Sequence, residues 1–150
     1  MDEFEKSLNH ILVDAFNNIL KYEENSLKKQ FATPVTISEV HLIEAVGTKE
    51  DDEMTVSKIA ALLDISKPTV TVAIQKLESK GYIRKVPCEK DGRRMIVSLT
   101  DAGKRVERAH RLFHERMVRN ISREFAGDEK GILLKAVTKI NDFFKSKTEA

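Results

Sequence analysis

Between residues 55 and 100 the apolar positions change their period. Val56, Ile59, Ala60 and Leu63 recur at helical spacing, and Thr55 before them is of the type that caps a helix N-terminus. Asp64-Ile65-Ser66 interrupts the pattern, after which Val70, Ala73, Ile74 and Leu77 resume it with Ser66 as cap. Pro68 sits in the first turn, where its missing N–H leaves no bond unmade, and Gly81 follows as the residue that ends the helix. Residues 82–86 and 95–99 instead alternate apolar and polar positions around the turn-rich stretch 87–94. The pattern predicts two short helices followed by a β-hairpin with a basic tip, a winged helix-turn-helix.

Helical periodicity also governs the flanks. Phe4, Leu8, Ile11, Leu12, Ala15, Phe16, Ile19 and Leu20 form one stripe, and Ile132, Leu133, Ala136, Val137, Ile140, Phe143 and Phe144 another. Thr36, Ile37 and Ser38 open a helix running to Gly47, residues 49–53 read as an acidic linker, and residues 101–125 read as one long helix. The fold class expected is mainly α with a small β-hairpin wing, and the two terminal stripes are expected to meet in a homodimer, because a domain this small offers them little other area.

The outward face of the second reader helix carries the chemistry. Ser66, Lys67, Thr69, Thr71, Val72, Gln75 and Lys76 supply hydroxyls, an amide, cations and a β-branched side chain, a mixture suited to phosphate oxygens and base edges in a major groove. Val70 is counted with these contacts, and Arg84, Asp91, Arg93 and Arg94 extend the set along the wing. Arg93 at the hairpin tip suits a minor groove, with Asp91 expected to hold its guanidinium in a bidentate pair.

Charge agrees with this placement. The 150 residues carry a net +2, but residues 1–56 hold five Lys/Arg against twelve Asp/Glu, a net of −7, which leaves +9 for the remainder. The basic part contains the reader, as an electrostatic footprint on phosphates requires. A single cysteine, Cys88, excludes an intrachain disulfide and fits a reducing compartment; with no apolar run of membrane-spanning length and no signal peptide, a cytoplasmic location is expected. The carboxylates are scattered, no glycine-rich phosphate loop is present and Cys88 has no histidine neighbour in sequence, so neither an enzyme nor a cofactor is expected.

Ile83-Arg84 after Gly81, Asp91-Gly92-Arg93-Arg94 in the wing and Leu99-Thr100-Asp101-Ala102-Gly103 beyond it resemble the MarR family of bacterial transcription regulators over nearly the whole chain. The resemblance implies a single winged-helix domain over 1–150, with a reader at 55–100 and dimerisation segments at 1–30 and 101–150. It implies a homodimer on a pseudo-palindromic double-stranded DNA operator. Two kinds of effector follow from it. Zinc-sensing members place ligands at positions matching Glu24, His41, His110 and His114. Phe16-Asn17-Asn18-Ile19-Leu20, Leu77-Glu78-Ser79-Lys80-Gly81-Tyr82-Ile83 and Phe113-His114-Glu115-Arg116-Met117-Val118 are similar to the fatty-acid-synthesis repressors of streptococci and related Firmicutes. That subgroup implies acyl-acyl carrier protein as partner and an acyl chain as effector, for which Phe16, Ile19, Ile43, Val46, Leu62 and Phe113 are the candidate lining.

Overall fold

The computed structural model describes residues 1–31, 33–48 and 53–148; most of the expected acidic linker lies outside the described residues. The elements are α1 (Glu3–Gln30), α2 (Ile37–Gly47), α3 (Val56–Leu63), α4 (Lys67–Ser79), β1 (Ile83–Pro87), β2 (Met95–Leu99), α5 (Asp101–Arg123) and α6 (Gly127–Thr148). Two compact units are present, residues 1–113 and 114–150. None of the described helices is long and apolar enough to cross a membrane.

Local chemistry explains where the helices begin and end. α1 opens with a reciprocal pair in which Asp2 Oδ1 accepts from the Glu5 N–H at 2.7 Å and Asp2 N–H donates to Glu5 Oε2 at 2.8 Å. Thr36 and Glu39 repeat that arrangement at α2. Thr55 and Ser66 cap α3 and α4 through their hydroxyl oxygens, as the sequence pattern anticipates. α4 ends when Gly81 turns to φ +79°, allowing Gly81 N–H to reach Glu78 O and Tyr82 N–H to reach Leu77 O, so two carbonyls at the helix end are satisfied. At the end of α3 it is Asp64, not a glycine, that takes the left-handed conformation, at φ 52°.

The hairpin is antiparallel, with Ile83 opposite Leu99, Lys85 opposite Val97 and Pro87 opposite Met95. Its inner face completes a core built from Val40 and Ile43 of α2, Ile59 of α3, Val70, Ile74 and Leu77 of α4, Ile83, Val97 and Val106, all essentially inaccessible to solvent. Each such side chain contributes roughly 1.5–3 kcal/mol by leaving water, so this cluster fixes the angle of α4 against the wing. Three further contacts brace the wing. Val97 N–H donates to Met54 O at 2.8 Å, Thr100 N–H to Tyr82 O at 3.1 Å, and Tyr82 Oη to Thr33 O at 2.7 Å. Thr100 Oγ1 also donates to Gly81 O at 2.6 Å while accepting from Gly103 N–H at 3.1 Å. Gly103 passes so close to the wing that a Cβ there would lie 2.1 Å from Tyr82 O.

The terminal stripes are the least covered apolar surfaces. On α1, Phe4, Ile11, Phe16 and Ile19 face solvent; in the second unit α6 buries none of its 22 residues, and Ile132, Leu134, Val137, Phe143 and Phe144 are all exposed.

Candidate nucleic-acid interface

The structure presents Ser66, Lys67, Thr69, Thr71, Gln75 and Lys76 on the solvent face of α4, and Arg84, Asp91, Arg93 and Arg94 on the surface of the hairpin. Val70 corrects one expectation: it is fully buried, because its helical phase with Ile74 and Leu77 turns it into the core, and it leaves no side-chain surface to offer a ligand. Its neighbour Val72 is 65% exposed and takes the outward place.

Several polar groups already have work within the protein. Ser66 Oγ accepts from Thr69 N–H at 3.3 Å and lies 2.7 Å from Thr69 Oγ1, while Thr71 Oγ1 donates to Lys67 O at 3.0 Å. At the far end of α4, Lys80 Nζ donates to Pro34 O and to both oxygens of the buried Glu39, and Lys76 Nζ stands 3.4 Å from the same carboxylate. Burial pushes the Glu39 carboxyl up, but the hydrogen bonds from Lys80 and Thr36 N–H, with the charge of Lys80 and the bond from Lys76, outweigh it and hold the group below its ordinary value. The ion pair ties the end of the exposed helix to the start of α2.

The wing differs in detail from the expected bidentate pair. Asp91 Oδ1 accepts from the backbone N–H of Arg93 at 3.1 Å, and Arg94 N–H donates to Asp91 O at 2.9 Å. The carboxylate thus shapes the turn, which is what a short acceptor two residues upstream does best, and the Arg93 guanidinium is carried at the tip without an Asp91 partner. Arg84 Nε donates across the strands to Ser98 Oγ at 3.2 Å. Cys88 is buried where β1 gives way to the tip turn, with Sγ 3.5 Å from Glu53 Oε2.

The positions considered for effectors are distributed differently from expectation. Glu24 is exposed and pairs with Lys28 at 4.0 Å; the preceding residue, Glu23, is the buried carboxylate, bonded to His110 Nε2. Nδ1 of the same ring lies 2.5 Å from Glu44 Oε1, and the His41 ring stands 6.2 Å away between centroids. Burial alone would push the His110 imidazolium down, but the hydrogen bonds to Glu44 and Glu23 and their charges raise it. His114 lies one turn further along α5. Sequence reasoning missed Glu23 and Glu44, although Glu23 shares its helical spacing with Leu20 and Leu27 on the covered side of α1. Among the six lining candidates, Ile43 and Val46 are core, Phe113 is nearly covered and meets the Tyr22 ring at 4.8 Å, and Phe16, Ile19 and Leu62 face solvent. Burial divides the six into a covered set and an exposed set.

Residues 33–94, which include α2, the helix pair and β1, match the MarR family. The chain is 30% identical to Streptococcus pneumoniae FabT, solved in complex with DNA, over 95% of this chain and 98% of that one, with a TM-score of 0.84. It is similar to the transcriptional regulator SarZ of Staphylococcus aureus, 29% identical over 107 residues, which cover 68% of this chain and 70% of SarZ. S. aureus MepR, solved bound to an oligodeoxyribonucleotide, shares the fold at a TM-score of 0.64 with 20% identity, over 91% of this chain and 97% of that one. This chain belongs to the MarR family. It is a DNA-binding transcriptional regulator.

Proposed function

We propose that the protein is a homodimeric repressor of fatty-acid synthesis genes that binds a pseudo-palindromic operator, one α4 per half-site, and answers to acyl chains delivered on acyl carrier protein. The observation that carries this reading is the likeness to the streptococcal FabT structure across 95% of the chain, joined to the sequence stretches in α1, α4 and α5 that resemble the fatty-acid-synthesis repressors. Such a protein acts in the cytoplasm as one functional domain, with the reader at 55–100 and dimer contacts from 1–30 and 101–150. The uncovered stripes of α1 and α6 supply apolar surface for a second copy, since isolated soluble chains seldom leave so many aromatic and aliphatic side chains in water.

An acidic carrier protein finds its complement on α5, where Lys104, Arg105, Arg108, Arg111, Arg116, Arg119 and Arg123 outnumber Glu107 and Glu115. The acyl chain would enter beside Phe16, Ile19 and Phe113, where aromatic side chains stand at the edge of the covered region, and reach Ile43 and Val46 only if α1 and α2 part, while Leu62 is already open on α3. Parting them changes the separation of the two recognition helices, which must match one duplex turn of about 34 Å.

The test is a titration of the operator complex with acyl carrier protein, loaded with a long acyl chain or unloaded. The loaded form should shift operator affinity by about 5–150-fold, the range of ordinary allosteric coupling, and EDTA should leave it unchanged. Indifference to the acyl chain, together with a response to zinc, refutes the reading.

A further inference from the structure

The helix that meets DNA presents an apolar surface where polar base readers were expected. Along the outward face of α4, the hydroxyl of Thr71 donates to Lys67 O at 3.0 Å, and that of Thr69 pairs with Ser66 Oγ at 2.7 Å. With its hydroxyl turned back along the helix, a threonine shows its methyl group outward. Between these residues and Gln75 stands Val72, 65% exposed and more open than Leu62 or Ile65 elsewhere in the helix pair. Valine is a poor choice for an exposed helix surface, because its branched Cβ loses rotamer freedom and its methyls stay in water. The choice is explained when DNA covers the residue.

Of the groups displayed in a major groove, the 5-methyl of thymine is the one sizeable apolar group; cytosine offers only a C–H at the same place, and the remaining groups are hydrogen-bond donors and acceptors. We infer that α4 reads thymine by methyl contact, with Val72 as the principal specificity-determining residue and the Thr71 methyl beside it, and that the threonine hydroxyls hold the helix N-terminus in shape rather than touching bases. This rests on α4 lying in the major groove. Gln75 is one turn beyond Val72 on the same face and has an amide of the kind that pairs with adenine N6 and N7. Val72 and Gln75 together therefore favour A·T pairs at neighbouring positions of a half-site.

The experiment uses the full-length protein and a duplex that it selects from a random-sequence pool. Each thymine of that duplex is replaced in turn by deoxyuridine, which removes one methyl group and leaves every hydrogen-bonding edge intact. Wild type should lose about fourfold in affinity at one or two thymines per half-site, the value of one buried methyl group. In Val72→Ala that sensitivity should vanish at the same position. Thr71→Val, which keeps the outward methyl and removes the hydroxyl, should retain the thymine response, whereas Thr71→Ser should blunt it. A wild-type scan with no sensitive thymine overturns the inference, as does a Val72→Ala scan identical to wild type. Lys67→Ala and Lys76→Ala separate this failure from a deeper one. If both weaken binding to every duplex while the thymine scan is flat, only methyl readout is lost; if neither has any effect, α4 is not in the groove.

Discussion

Nδ1 of His110 on α5 lies 2.5 Å from Oε1 of Glu44 on α2, while the opposite nitrogen of the ring is held by Glu23 of α1. One imidazole ring therefore joins three helices, and removing it leaves two carboxylates without their shared partner. His110→Ala should destabilise the protein by about 3 kcal/mol or more, most of it from the buried Glu23 and less from the more exposed Glu44. His110→Gln should cost less, because its amide still donates to one carboxylate.

The same contact predicts the sign of a pH dependence. The folded-state pKa of His110 is raised above its ordinary value of 6.5, so its contribution to stability is complete below that value and is lost as pH rises through the folded value. Urea denaturation of wild type from about pH 6 to about pH 9 should show a falling midpoint over the range in which histidines titrate. His110→Ala should lack that component. An identical slope in both proteins contradicts the assignment of a charged ring.

Gly103 is the position at which α5 passes the carbonyl of Tyr82, and no side chain fits there. Gly103→Ala should cost about 3 kcal/mol, since the obstacle at 2.1 Å is backbone and cannot rotate away. Gly81→Ala meets nothing within 4 Å but forces alanine to φ +79°, so its cost should be about 1–2 kcal/mol. Thermal denaturation that ranks Gly81→Ala as the more harmful would contradict the close approach.

Wing and helix should separate in binding experiments. Arg93→Ala should weaken binding to all duplexes by about 1–2 kcal/mol and reduce the slope of log K against log salt by roughly 1. Asp91→Ala should weaken binding less, and without changing the slope, because the carboxylate acts on the turn backbone. Equal salt slopes for Arg93→Ala and wild type would remove Arg93 from the phosphate or minor-groove contacts.

Phe16 and Phe143 are exposed in the isolated chain, so charging them leaves its interior untouched. Phe16→Asp or Phe143→Asp should yield a folded monomer in analytical ultracentrifugation, with operator affinity lowered by at least 100-fold because one half-site supplies only part of the contacts. Wild type sedimenting as a monomer would remove the basis for the dimer.

The periodicity of the chain was sufficient for the helices and hairpin because burial imposes it: Ile59, Ile74 and Val97 must face one core, and their spacing reveals the element that carries them. The cap at Ser66 and the end at Gly81 were legible for the same reason, since few residue types satisfy those backbone positions. The site was less legible. Whether Thr71 offers a hydroxyl or a methyl depends on a side-chain rotamer, which spacing does not specify. Whether Glu23 or Glu24 turns inward depends on a fraction of a helical turn, and the partner that decides it, His110, is 87 residues away. Val70 was legible and misassigned, because its phase with Ile74 already placed it inside.

A two-stranded ribbon has two outer edges, and an open edge is a template for pairing with foreign strands. Here the main chain of Met54, arriving just before α3, bonds the Val97 N–H on the outer edge of β2 at 2.8 Å. Its side chain is buried in the same place. The strand is thus closed at its midpoint by its own chain, and any extended segment seeking that edge finds too few free amides in succession to form a ladder. The β2 edge of the hairpin is thereby withdrawn from pairing with foreign strands, while its basic tip stays exposed.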